Sequence, residues 1–447
     1  MPSRTLFRLP FSPSSYHNSI RSSSPTAGLI RNHASFTLLP SLRLLPASTP
    51  ISIRFRSAER IQARRFHDYV RGQTPTGQTY KVDLDSRKII GRVSSRGTRQ
   101  YQEDRTSVHT LTLNPEDLRR SLKRHEVDWI PPGLDGGSPK LAGQVGYFAI
   151  FDGHGGQHVS EHLHKRLHGM IEEVDRVTID ETIAFTKRLG GYFKRFRGGA
   201  LREWVGHPDH RDWMTLEERL TLAFLMADQL LLSREDTRRC GSTASLALLH
   251  SLDDPVQPFF VANKISLTTA HLGDTKILLC NRHTGKVEPL TERHHADARI
   301  EASRLRRIGG GLITDSFGES RWMGAVENTR SFGDGEFKPL GVTAEPEIRH
   351  RVINGADYAY MVFVTDGVSS LISNQEIIDL ARNAHDPHRA ATTIVNFAED
   401  LGAEDNCSCI VAPLAGWGNV GGTDETEARR EYRRRKVSSL STRMQRM

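Results

Sequence analysis

The sequence predicts an α+β layered fold carried mainly by residues 86–414. Short apolar runs bounded by turns recur along that stretch, and apolar residues at helical spacing recur between them. The two kinds of segment lack the regular strand–helix–strand order of a doubly wound parallel sheet. The charge pattern points the same way. Residues 1–66 carry a net +9 and residues 415–447 a net +4, whereas residues 67–414 carry −5 within a chain total of +8. The basicity belongs to the ends, so a folded nucleic-acid-binding face is not expected.

In chain order, residues 1–66 come first. They hold ten Arg, no Lys and one acid, Glu59, and are rich in Ser and Pro. That is the composition of an organelle transit peptide, so a mitochondrial address is expected, in the matrix or intermembrane space. No continuous apolar core marks a secretory signal. Strands are expected at Tyr147–Phe151, Ala244–Leu249, Leu267–Leu272, Ile277–Cys280, Tyr360–Thr365 and Cys409–Ala412. Val159, Leu163, Leu167 and Met170 predict one amphipathic helix. Leu216, Leu220, Phe224, Ala227 and Leu231 predict a second, and Ile300, Leu305 and Ile308 a shorter third. Residues 112–143 and 171–215 read as insertions. Residues 415–447, with RREYRRRK at 429–436, read as a basic disordered tail.

Two classes are excluded early. No apolar run approaches the roughly 20 residues that span a bilayer. Four cysteines in 447 residues do not make a disulfide framework. Cys240 and Cys280 stand alone and Cys407 and Cys409 form only a C-x-C pair, so buried reduced thiols are expected.

The chemistry concentrates where apolar runs stop. YFAIFDGHGG (147–156) delivers Asp152 at a strand end, followed by Gly153 and His154. Glycine there lets backbone approach a ligand and leaves the Gly153 carbonyl free to act as an oxygen ligand. YMVFVTDGVSS (360–370) ends the same way at Asp366, and GAEDNCSCIVAPL (402–414) places Asp405 before a strand. HLGDTKILLC (271–280) sets Asp274 in a turn. RGTRQYQEDR (96–105) offers Arg99, suited to a bidentate grip on phosphate, with Glu103 and Asp104 close behind. Singly, each acid reads as a satisfied turn aspartate. Together they are the parts of a two-metal hydrolytic site, and an oxygen-only ligand set selects Mg²⁺ or Mn²⁺ over zinc.

These motifs, with CGSTASLALL (240–249), RIGGGLI (307–313), ENTRSFGD (327–334) and VTAEPEI (342–348), occur in an order that resembles the metal-dependent protein phosphatases of type 2C, fungal mitochondrial members among them. The resemblance implies a β-sandwich of two antiparallel sheets flanked by helices, in four layers. It implies a serine/threonine phosphatase with two Mg²⁺ or Mn²⁺ ions per subunit. Asp152 would bridge both ions, Gly153 would give its carbonyl to one, and Asp366 and Asp405 would bind the other. Glu103 would ligate directly or through water. Arg99 would hold the substrate phosphate and His154 would protonate the leaving alkoxide, while a metal-bridging hydroxide attacks phosphorus in line. Asp274 with Asp366 would serve a weaker third ion. No cysteine has an arginine six residues on, which agrees with a route lacking a cysteinyl-phosphate.

The sequence also departs from the family pattern. Gln102 stands where Asn is usual, Ser370 where an acid is often found, and TERHHA (291–296) where D-H-K is usual. His294 and His295 could ligate metal, but a segment shaping substrate choice is the expected reading. The competing functions are a catalytically silent scaffold of the same fold and a phosphatase of small metabolites. Expected partners are phosphoprotein substrates, with the pyruvate dehydrogenase complex as an analogy, and the chain is expected to act as a monomer.

Overall fold

A computed structural model describes residues 68–132, 139–207, 210–237, 239–306, 311–314, 320–324 and 326–439. The expected transit peptide at 1–66 lies outside them, as does part of the RIGGGLI motif. Two five-stranded antiparallel sheets form the centre. In spatial order, the first runs Glu347–Asn354, Lys264–Leu272, Ala244–Ser251, Gln144–Phe151 and Arg105–Thr112. The second runs Val287–Pro289, Lys276–Asn281, Tyr358–Val364, Cys407–Pro413 and Gly91–Ser95. All six strands expected from the sequence are present and extend by a few residues.

The period-two alternation of strand side chains explains the layering. Along Gln144–Phe151, Phe148 and Ile150 face the second sheet and pack with Ile277, Leu279, Met361, Phe363 and Ile410. The intervening Tyr147, Ala149 and Phe151 face outward, against Leu163, Leu167, Leu220 and Phe224. Those four come from the helices His158–Glu173 and Leu216–Leu232, two of the three that were expected. The third is Arg299–Arg306. The outer face of the second sheet is covered by Asn374–Ala381 and Pro387–Asp400, whose Ile377, Ile394 and Phe397 meet Tyr360, Val362 and Val411. Burial on both faces makes these strands continuous apolar runs, which is why they were legible. The result is the four-layered α+β sandwich expected from the resemblance.

Helix starts follow local chemistry. Thr215 with Glu218, and Ser373 with Glu376, form reciprocal capping boxes. Asp386 caps a helix that opens with Pro387.

Three expectations need correction. The fold begins before residue 86: Tyr69–Gln73 pairs with Thr79–Asp83, and Val70 and Leu84 are buried between the sheets. The polar composition of that hairpin hid it. The segments read as insertions contribute to the core, through Leu118, Leu122 and Trp129 in the first and Leu201 and Trp204 in the second. The tail is not disordered throughout, since Glu427–Ser439 is a helix. It is anchored by charge: Arg433 donates to Glu376 at 3.0 Å and to the Leu371 carbonyl at 2.7 Å, and Arg430 meets Asp424 at 2.5 Å. All four cysteines are free and buried, as expected. No described helix is long and apolar enough to cross a membrane.

Candidate active site

Strand ends from both sheets converge at one edge of the sandwich. Gln144–Phe151 from the first sheet leads into Asp152. From the second sheet, Tyr358–Val364 leads through Thr365 into Asp366, and Asp405 and Asn406 precede Cys407–Pro413. Asp152 is fixed by its backbone, whose carbonyl accepts from Thr243 N at 2.9 Å. Gly153 is required by space: a Cβ there would lie 2.6 Å from the Glu103 carbonyl and 2.8 Å from Ser160 Oγ. Gly367 is pressed as tightly, 2.2 Å from the Asn406 carbonyl.

Asn406 ties the arginine-bearing loop to this edge. Its Oδ1 accepts from Glu103 N at 2.7 Å, and its Nδ2 donates to the Arg96 and Tyr101 carbonyls at 2.9 and 3.0 Å. Arg99 Nη2 then meets Asp405 Oδ2 at 2.6 Å. The expected phosphate-binding cation and one expected metal ligand are therefore paired with each other, both partly exposed.

The electrostatics of the acids are distinctive. The carboxyls of Asp152 and Asp366 lie close enough to perturb each other. Burial, with the charges of Asp366, Asp104 and Asp274, raises Asp152 well above the usual carboxylate range. Burial also pushes Asp366 up to about 7, reinforced by Asp274 and Asp405. Asp104 is buried and likewise raised to about 7, against hydrogen bonds from Ser408 and Thr365 that lower it. Asp274 is raised by burial, though Asn328 donates to its Oδ2 at 3.0 Å. The other carboxylate oxygens, Asp104 Oδ1 and Asp274 Oδ1, are buried without a hydrogen-bond partner among the described residues.

His154 stands at the rim of this acidic cluster. Its Nε2 lies 3.0 and 2.9 Å from the two carboxylate oxygens of Asp334. Its ring is half-exposed, and the water it does lose works against its charge, but Asp334, Asp274 and Glu103 outweigh this and raise its pKa. Asp334 is lowered correspondingly.

The expected residues thus assemble as follows. Asp152, Gly153, His154 and Asp366 lie together with Asp274. Arg99 and Asp405 close one side. Glu103 reaches the site through its backbone, with its carbonyl against Gly153 and accepting from Ser160 Oγ at 2.5 Å. Two residues were not assigned a role from sequence: Asp104, whose only signal was adjacency to Glu103, and Asp334, visible only as the end of ENTRSFGD. His294 and His295 are engaged elsewhere. His294 accepts from Gly273 N at 3.1 Å and pairs with Glu347 at 2.9 Å, and His295 pairs with Asp297 at 2.7 Å.

No group of three His, Cys, Asp or Glu side chains able to hold a metal ion is drawn together among the described residues. Several dehydrated carboxylates raising one another, two with an unpartnered buried oxygen, nevertheless form a hard, oxygen-only donor set. Mg²⁺ in particular is commonly held by one or two carboxylates with water completing the shell. The donor set fits such an ion.

The sequence model described as Protein phosphatase 2C matches residues 133–407. Protein phosphatase 2C homolog 4 of Schizosaccharomyces pombe is 32% identical over 277 residues, covering 61% of this chain and 71% of that protein. The mitochondrial protein phosphatase 1K of Xenopus laevis is 31% identical over 279 residues, covering 62% and 63% respectively. Among solved structures, a phosphatase from Toxoplasma gondii is similar at a TM-score of 0.49 and 16% identity, covering 78% of this chain and 94% of that one. With the family model matching more than half of the chain, this protein belongs to the protein phosphatase 2C family, the metal-dependent protein serine/threonine phosphatases.

Proposed function

We propose that the chain removes phosphate from phosphoserine and phosphothreonine in mitochondrial proteins, using two Mg²⁺ or Mn²⁺ ions held at the acidic edge of the sandwich. The observation that carries this reading is the set of mutually raised carboxylates Asp152, Asp366, Asp104 and Asp274, which is costly to bury without compensating positive charge. The ligands would be Asp152, the Gly153 carbonyl, Asp366 and Asp405, with Glu103 direct or through water. When bound, the ions supply positive charge and lower the pKa of water enough to give a nucleophile near neutral pH.

The chain's own groups do the rest. Arg99 is exposed and would exchange Asp405 for a substrate phosphate, whose two oxygens match the guanidinium fork. Asp405, free of Arg99, would then help to hold a cation. His154 faces the leaving group and gives it a proton. The folded domain, from the hairpin Tyr69–Gln73 and Thr79–Asp83 through Cys407–Pro413, would be the catalytic unit. Residues 1–66, rich in Arg and with Glu59 as their one acid, support a mitochondrial address, as does the name of the frog relative.

The test is hydrolysis of a phosphothreonine peptide by the purified protein, with and without a chelator. Activity should require Mn²⁺ or Mg²⁺ and vanish in Asp152→Ala. Turnover that survives both chelation and the substitution would overturn the reading. Import of the tagged full chain into isolated mitochondria, with cleavage near residue 66, tests the address. A chain that stays outside and uncleaved would refute it.

A further inference from the structure

We propose that Asp334 is the positioning residue for His154, fixing the imidazole so that Nδ1 faces the oxygen leaving phosphorus; this rests on the reading of His154 as proton donor. Both carboxylate oxygens of Asp334 grip Nε2, at 3.0 and 2.9 Å. Nδ1 makes no hydrogen bond among the described residues. A ring held at one nitrogen by a carboxylate has its orientation set, with Nε2–H toward the acid; the imidazolium carries a second proton on Nδ1, and giving it up leaves the Nε2–H tautomer. In the step, water adds to phosphorus and the bond from phosphorus to the serine or threonine oxygen breaks. The departing oxygen keeps the electron pair and takes the Nδ1 proton, and the water's proton passes to solvent.

Asp334 is itself held from several directions, which a surface salt bridge would not need. It is 6% exposed and has φ +52°, a left-handed backbone rare for a residue other than glycine. Its N donates to the Cys240 carbonyl at 3.0 Å, and Ser331 Oγ donates to its Oδ2 at 2.5 Å. The Ser331 carbonyl accepts from Lys338 Nζ at 2.9 Å. Lys338 is fully buried and pairs with Asp228 at 2.8 Å, and the other oxygen of Asp228 accepts from Gly333 N at 2.9 Å. A buried ion pair contributes little net stability, so its retention is better explained by what it registers. Here it clamps the turn 331–334 to the helix Leu216–Leu232.

The chain also leaves room for the pair. Phe332–Gly333 hydrogen-bonds to Gly241–Ser242, which hydrogen-bonds to Gly153–His154. A Cβ on Gly241 would lie 2.3 Å from both His154 Nε2 and Asp334 Oδ2. Only glycine at the middle strand lets the ring and the carboxylate meet.

The test compares a phosphothreonine peptide, whose leaving oxygen needs a proton, with p-nitrophenyl phosphate, whose leaving group does not. Asp334→Asn is the suitable variant because Asn keeps the side-chain shape and tolerates left-handed backbone. We expect its kcat on the peptide to fall roughly tenfold to a hundredfold, part of the ~10²–10⁴ supplied by a general acid. KM should stay within about twofold, and p-nitrophenyl phosphate turnover should fall less than about threefold. His154→Ala should give the same split, larger, and Asp334→Asn should add nothing to it. If Asp334→Asn does not fold, Ser331→Ala, which removes one donor to Asp334, should show a smaller split of the same sign. Equal losses on both substrates, or a rise in KM alone, would overturn the proposal as mere structural support. A split in His154→Ala beside wild-type behaviour of Asp334→Asn would overturn the positioning role and leave the reading of His154 standing. No split in His154→Ala would remove that reading and the proposal with it.

Discussion

Replacing Glu301 by Gln should loosen the segment that carries Asn328 to the acidic cluster. Glu301 is fully buried on Arg299–Arg306. Its carboxylate accepts from Arg304 at 2.6 and 3.0 Å, from Arg330 at 2.7 and 3.0 Å, and from Thr329 Oγ1 at 2.6 Å. Burial alone would raise its pKa, but the two guanidinium groups and the hydrogen bonds hold it down at about 2. Against an unfolded value near 4.3, that gap is worth about 3 kcal/mol of stability. The sign follows: the contribution is complete above roughly pH 4.3 and is lost as pH falls toward 2. Glutamine removes the charge and leaves two mostly buried arginines without their counter-ion, which costs about 3–5 kcal/mol by analogy with other broken buried pairs. Urea denaturation monitored by fluorescence should place Glu301→Gln about 3 kcal/mol below wild type at pH 7. That gap should narrow from pH 5 toward pH 3, as the wild type loses what the variant never had. A difference under about 1 kcal/mol at pH 7, or one that does not change with pH, would refute the reasoning.

Other consequences follow from the same geometry. Gly153→Ala should reduce peptide phosphatase activity at least about tenfold, because its Cβ would meet the Glu103 carbonyl at 2.6 Å and displace the backbone at the site; the steady-state rate checks this. Arg99→Ala should raise KM for a phosphopeptide more than it lowers kcat, since the lost group grips phosphate in ground and transition states alike. Adding Mn²⁺ to chelated protein should raise the melting temperature, and Asp152→Ala should abolish the rise, as differential scanning fluorimetry would show. Arg433→Ala should cost roughly 1 kcal/mol, because buried Glu376 then loses a charged partner; a denaturant midpoint unchanged from wild type would contradict the docking of the C-terminal helix.

Legibility tracked burial. Strands covered on both faces, such as Tyr358–Val364, stood out as apolar runs. The edge strand Glu347–Asn354, EIRHRVIN, is half-exposed along most of its length and gave no such signal. Arg105–Thr112 is also an edge strand, and its mixture of Thr, Ser and His obscured it. The C-terminal helix reads as a charge run because its arginines are its contacts: they find Glu376, Asp424 and the face of Phe397 at 4.9 Å, partners far away or invisible in local periodicity.

The same division holds at the site. The order of D-G, G-D and D-N motifs at the ends of apolar runs was enough to specify a family, a fold and an acidic edge, because a strand's end position and a glycine's missing side chain are local properties. Which acids lose water, which cation each one meets, and which carboxylate grips His154 were decided only in three dimensions. Asp104 and Asp334 look like any turn acid in the sequence. Their roles come from neighbours more than 100 residues away, brought close by two sheets whose hydrogen bonds and core packing, rather than any local preference, fix where those side chains meet.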